Sequence, residues 1–199
     1  MLTNEMPVIG GNALNNVFGV VDTVAQNPVG SLWTIPALSV AGGLSLVSTT
    51  GYGSFLTVKY LQYKGTANTS TVQNGPAPVY YTDETFSTIS GHYADSVALD
   101  AGIAGWMLPN SGSTSGVGLG SAFTSAVLLN GGLGTYVFVA VEGFVPKARL
   151  AAGAQGNAVT GASGDWTVAI TTTVLRPCGY IWGSVTSNIG DIIATVGMY

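Results

Sequence analysis

Charge is scarce in this chain. Only 7% of its 199 residues are Asp, Glu, Lys or Arg, against about 25% in an ordinary soluble domain. The five basic residues, Lys59, Lys64, Lys147, Arg149 and Arg176, form no run. Neutralising several phosphates takes clustered Lys and Arg, so direct nucleic-acid binding is excluded as an expectation. Cysteine and histidine occur once each, as Cys178 and His92. A lone cysteine rules out an intramolecular disulfide, and its apolar neighbours Leu175 and Tyr180 predict a buried thiol. One His and one Cys are too few for a structural zinc site, which takes four ligands. The start, Met1 to Pro7, has neither the basic nor the apolar stretch of a secretory signal, so export by that route is not expected. The uncharged segment from Ala101 to Val141 is broken by Gly, Ser, Thr and Asn130 to Gly132 well short of the roughly 20 apolar residues a membrane helix needs.

What the chain has instead is apolar and glycine-rich: 47% hydrophobic residues and 29 glycines. A surface built from Ser, Thr, Asn, Gly and apolar atoms has few devices for keeping copies apart, and burial against partners removes that problem. Residues 1–50 carry only Glu5 and Asp22 as charges and show no helical period. Pro36 and Gly42 to Gly43 interrupt what would otherwise be an apolar run from Leu32 to Val47. This segment reads as an extended N-terminal arm whose Phe18, Leu32, Trp33 and Ile35 are candidate partner-binding residues, adding their apolar surface to a neighbouring subunit rather than to their own body.

Strand signals recur from residue 55 onward. The run FLTVKYLQY, Phe55 to Tyr63, is aromatic and β-branched and lies between Gly53 and Gly65. Val79 to Thr82 and Phe86 to Ile89 flank Asp83 and Glu84 as a hairpin would. Val97 to Leu108 holds Gly102 and Gly105 inside an apolar segment, which predicts a strand with a bulge or a close backbone approach. After the Gly/Ser/Thr linker at Ser111 to Ser121, Tyr136 to Val145 gives the strongest strand signal, with shorter ones at 157–160, 166–172, 179–185 and 191–196. The fold class is therefore mainly β: one or two small β-barrel or β-sandwich units behind an extended arm. The divisions are 1–50 for the arm, 51–110 for a first β unit, 111–134 for a linker and connecting segment, and 135–199 for a second β unit completing the barrel. Both halves run short strand, polar turn, aromatic strand, then glycine and Trp (Trp106, Trp182), the order an internal repeat predicts.

Candidate chemistry is thin. His92 lies in a turn with Asp95, and Ser90 or Ser96 would complete a triad on paper, but no Gly-x-Ser-x-Gly elbow accompanies it. Asp83, Glu84, Asp95 and Asp100 match no EF-hand spacing, and turn acids cap backbone amides. Glu142 within an apolar strand reads as a solvent-facing acid or a partner of Lys147 or Arg149 rather than a catalytic acid. Gly116 to Gly120 lacks the lysine of a phosphate loop. No enzyme, cofactor or metal is expected.

The order of segments resembles small β-barrel decoration, or cement, proteins of tailed bacteriophage heads. Lys59-Tyr60-Leu61, a Thr/Gly loop, Pro78 to Asp83, Thr88 to Ser90 and Ala101 to Gly105 are similar to their barrel strands. Val137 to Val145 and Gly179 to Ser184, with Gly190 to Val196, are similar to their closing strands. The likeness covers residues 55–199 loosely and the arm hardly at all. It implies a structural virion protein made in the host cytoplasm that binds the outer surface of the major capsid protein shell. It further implies a homo-oligomer, favourably a trimer, with no nucleic-acid or membrane partner. Other virion parts, such as a tail, fibre or coat subunit, and more remotely a carbohydrate-binding or hydrolytic β-protein, fit the same composition.

Overall fold

The computed structural model describes residues 8–9, 12–13, 21–36, 55–64, 72–74, 76–90, 103–107, 122–124, 135–150, 153–161, 168–171, 177–183, 185 and 189–196. Every regular element among them is a strand. In chain order these are β1 (Val8–Ile9), β2 (Asn12–Ala13), β3 (Val21–Asp22), β4 (Leu32–Pro36) and β5 (Phe55–Tyr63). There follow β6 (Val72–Asn74), β7 (Ala77–Tyr81), β8 (Thr88–Ser90), β9 (Ile103–Met107) and β10 (Ala122–Thr124). The last five are β11 (Thr135–Arg149), β12 (Ala158–Gly161), β13 (Val168–Thr171), β14 (Gly179–Ile181) and β15 (Ile189–Thr195).

Five of these strands close on themselves. β5 pairs with β11, β11 with β9, β9 with β7, β7 with β8, and β8 returns to β5, which makes a small closed barrel. All these pairings are antiparallel except the last, in which only Gln62 and Tyr63 of β5 face Thr88 and Ile89 of β8. The three-residue β8 is thus a short seam. β11 is the hub: its first half lies in the barrel wall, while Glu142 to Arg149 pair with β15 and carry the sheet on through β14, β12 and β13. Pro146 would interrupt a regular ladder. It is accommodated because the register slips by one residue between Val145 and Ala148, placing the proline in a bulge.

Side-chain alternation along β5 sorts the core into two layers. Leu61 and Tyr63, with Val79, Ile89, Ala104, Met107, Val137 and Val139, fill the barrel. Leu56, Val58 and Tyr60 point the other way and join Trp106 and Phe138 against Val159, Ile181, Ile192 and Ala194 of the strands that extend the sheet beyond β11. Both faces of the run FLTVKYLQY are buried, so its apolar content is continuous rather than alternating with polar residues.

The bulge expected near Gly102 and Gly105 is present. Val79 faces Gly105 but Tyr80 faces Ile103, leaving Ala104 as the extra residue. Gly105 has φ +149°, and a Cβ there would lie 2.5 Å from both the Ala140 carbonyl oxygen and Val139 Cγ1. Backbone of β11 therefore passes where any other side chain would sit.

Within residues 1–50, two described strands pair with the body. β4 pairs with β5 from Leu32 opposite Lys59 to Pro36 opposite Phe55, and β3 pairs with β11. The body thus extends back to Val21. The physical reason is the open edge of β5: β8 covers only Gln62 and Tyr63, and β4 satisfies the ladder over the remaining length. From residues 135–199 the barrel takes only the first half of β11, and β12 to β15 extend the sheet beyond it. The pairing order β8, β7, β9 in the barrel is matched by β13, β12, β14 in that extension. The linker at 111–121 lies outside the described residues.

Candidate functional site

Two polar constellations stand on opposite faces of β5. The first is built on Tyr60, fully buried beneath the loop that joins β3 to β4. Its hydroxyl donates to the Asp22 carboxylate and accepts from the Gln26 N–H at 3.2 Å. Its backbone is held by the same loop, Gly30 N–H to Tyr60 O at 2.7 Å and Tyr60 N–H to Ser31 O at 3.0 Å. Tyr136 stacks on the ring at 5.9 Å, Phe138 lies at 5.0 Å, and Trp33 meets it edge-on at 6.5 Å. One residue therefore fixes the loop through main chain, hydroxyl and ring together. The loop nevertheless turns Val24 (66% exposed) and Val29 outward.

Burial raises the Asp22 carboxyl above its usual value, the Tyr60 hydrogen bond opposing; Tyr60 is itself raised by burial and by Asp22. A carboxyl whose folded pKa is raised contributes stability that is fully present below the unfolded value and is lost as pH rises through the folded one. Asp22→Asn is therefore expected to gain on the wild type as pH rises from about 3 to 7, read by urea midpoints at each pH. A variant that loses ground with rising pH would contradict this assignment. Tyr60→Phe leaves Asp22 half-buried without its donor, and a cost of about 1–3 kcal/mol is expected in the same titration.

The second constellation lies on the barrel face. Lys59, only 8% exposed, stands opposite Val139 on one side and Leu32 on the other. It is three residues before Gln62, where β8 begins to pair, and its bond to Tyr81 of β7 reaches past that short strand, across the barrel's seam. Its ammonium donates to Tyr81 Oη at 2.9 Å and sits 5.0 Å from that ring's centroid. Among the described residues Lys59 has no carboxylate partner. Burial lowers the lysine from its usual range and pushes the Tyr81 phenol up to about 12, so the phenol keeps its proton at neutral pH. Tyr81 in turn meets Phe86 edge-on at 5.1 Å. Phe86 is exposed and has φ +54°, a conformation that bulky side chains rarely adopt.

Asp83 fixes that conformation. It accepts from Thr85 Oγ1 at 2.9 Å, from Ser87 N–H and Oγ at 3.3 Å each, and from Thr88 Oγ1. Burial pushes its carboxyl up, but the bonds from Thr88, Thr85 and Ser87 outweigh this and hold it below the usual carboxylate value. The sequence reading of turn acids as backbone caps holds for this residue. Two residues along β5 from Lys59, on the same face, Thr57 donates weakly to the exposed Glu142 at 3.4 Å. Glu142 is thus a solvent-facing acid.

Of the four candidate partner-binding residues, Phe18 lies outside the described residues. Leu32 is 44% exposed, and Ile35 takes its place in β4 opposite Leu56. Trp33 is half-buried against its own chain, 6.0 Å from Phe138. His92, Asp95, Ser96 and Asp100 also lie outside the described residues. Among the described residues no group of three or more His, Cys, Asp or Glu side chains converges as a metal site. No helix among them is long and apolar enough to cross a membrane. Trp106 Nε1 is buried and has no hydrogen-bond partner among the described residues; an unsatisfied donor costs about 1–3 kcal/mol.

Cys178 is buried, as its neighbours imply. Its thiol donates to the Val159 carbonyl at 3.0 Å, and burial pushes it up to about 12. A thiol reagent such as DTNB is expected to leave the native protein untouched for hours and to titrate one thiol after denaturation. Rapid reaction of the native protein would contradict its burial.

Neither the Lys59–Tyr81 pair nor the Asp22–Tyr60 pair was singled out from sequence. A signal for the first was present: a lone lysine two residues before Leu61 and four before Tyr63 shares their face in a strand. The second joins residues 38 apart and leaves no local pattern. Comparisons with protein-family models, with curated proteins and with solved structures find no match.

Proposed function

We propose that this chain is a structural virion subunit that decorates a bacteriophage capsid, binding the outer surface of the major capsid protein shell, as a trimer, without catalysis. The observation that carries the reading is the loop from Val21 to Ser31. It is held by Tyr60 at four hydrogen bonds, yet it turns Val24 and Val29 to solvent. An apolar segment already fixed in one conformation loses little entropy on docking, which favours attachment to another protein surface. Chain-wide scarcity of charge points the same way, since a surface poor in Lys and Glu resembles the core of an interface.

The test is cosedimentation of the purified chain with undecorated capsid shells of a phage whose genome encodes it. The paired substitution Val24→Asp and Val29→Asp changes two exposed positions. It is expected to leave the thermal transition within a few degrees of the wild type and to abolish shell binding. Shell binding by the folded double variant at wild-type strength would overturn the assignment of this loop as the attachment surface. Failure of the wild-type chain itself to bind would overturn the decoration reading.

A further inference from the structure

We infer that the barrel seam holds a carboxylate-binding site formed by Lys59 and Tyr81 and flanked by Phe86 and Leu32, selective for a monoanion attached to an apolar group. Three observations carry it, independently of the capsid reading. First, Lys59 is 8% exposed and its ammonium has a phenol, not a carboxylate, as its hydrogen-bond partner among the described residues, so a direct anionic partner is the ligand that suits it. Second, the donors are arranged for two oxygens. Of its three N–H groups Lys59 commits one to Tyr81, and Tyr81, accepting that bond, keeps its own O–H free to donate. The two donor atoms are 2.9 Å apart, close enough to engage both oxygens of one carboxylate. Third, the surroundings are apolar and held in place. Leu32 stands opposite Lys59 on β4 and is 44% exposed, while Phe86 is 41% exposed, lies edge-on to Tyr81 and is kept at φ +54° by the Asp83 hydrogen bonds. Directly opposed residues of an antiparallel pair share a face, so Leu32 and Lys59 point to the same side of the sheet.

Glu142 sets the charge limit. It lies one pair along the same face, bonded by Thr57, and a second negative charge on a ligand would be repelled by it. A phosphate dianion is therefore disfavoured, with one ammonium to receive it.

The site is tested by NMR titration of the full chain, following the backbone amide signals of the residues flanking positions 59 and 81, which the wild type and both variants share. The probes are 3-phenylpropanoate, its neutral amide and inorganic phosphate. The acid is expected to bind at least about tenfold more tightly than the amide, the margin of one charge-assisted hydrogen bond. Lys59→Met keeps the stem and removes the charge, and it is expected to bring acid and amide to equal affinity. Tyr81→Phe removes the second donor and is expected to weaken acid binding several-fold. It also keeps the question open to experiment if Lys59→Met does not fold. A capped dipeptide, acetyl-Phe-Glu-amide, separates the sources of the carboxylate. Tighter binding of the dipeptide than of phenylpropanoate assigns the site to an acidic side chain of a polypeptide, and weaker binding assigns it to a free acid. Equal binding of acid and amide by the wild type, absence of acid binding, tighter binding of phosphate, or unchanged acid binding by folded Lys59→Met would each overturn the proposal.

Discussion

Deletion of residues 2–50 is expected to abolish cooperative folding of the remaining chain. The segment contributes β3 and β4 to the ladders of β11 and β5, and Trp33 to the aromatic cluster around Tyr60 and Phe138. Without it the Phe55 to Tyr60 edge of β5 loses its pairing partner, and Tyr60 loses both Asp22 and the loop that covers it. Each large apolar side chain returned to water costs about 1.5–3 kcal/mol. Exposing two or three of them, with a strand's hydrogen bonds, consumes most of a typical stability of about 5–15 kcal/mol. Near-UV circular dichroism and a thermal scan read the outcome. Deletion of residues 2–20 removes β1 and β2, whose strand pairing is with each other, and is expected to preserve the transition. A folded 51–199 fragment with the stability of the full chain would show that β3 and β4 are dispensable.

Gly105→Ala is expected to destabilise the protein by about 3 kcal/mol or more, a fall in Tm of about 6–12 °C for a chain of this size. Added at φ +149°, the methyl group meets the Ala140 carbonyl oxygen at 2.5 Å, and that atom belongs to the backbone of the strand that joins barrel to sheet. The neighbouring strand cannot yield by rotating a side chain. Gly156→Ala is the control. Its φ is +84°, but nothing lies within 4 Å of the new Cβ, so only the conformational cost of about 1 kcal/mol is expected. Equal losses at the two positions would mean that backbone conformation, and not contact with β11, sets the requirement for glycine.

Much of the barrel is legible in the sequence because its strands are locally specified. FLTVKYLQY, the hairpin around Asp83 and the bulged strand ending at Met107 are each bounded by glycine or turn residues and are dense in β-branched and aromatic residues. β4 was missed for an instructive reason. Leu32 to Pro36 is as apolar as a strand, but its proline reads as a break, whereas at the last residue of a strand a missing N–H costs little. What makes the segment a strand is the vacant edge of β5, a tertiary fact with no local trace. β11 likewise runs on past Val145 because a bulge absorbs Pro146.

The candidate sites are less legible than the fold. Exposed Val24 and Val29 look like any valines in the sequence, and only the hydrogen bonds to Tyr60 show that they are held outward. Lys59 reads as one of five scattered cations until the register sets it opposite Leu32 and Val139, at the edge of a closed barrel. Phe86 gives no sequence signal at all, since a residue with φ above zero is usually Gly or Asn.

The measurement that bears most directly on the decoration reading is quantitative mass spectrometry of gradient-purified phage particles from cells that express the chain. The reading predicts that the chain comigrates with the major capsid protein at a fixed ratio across the particle peak and keeps that ratio after nuclease treatment. Its absence from the particle peak while it is abundant in the soluble fraction would contradict the reading.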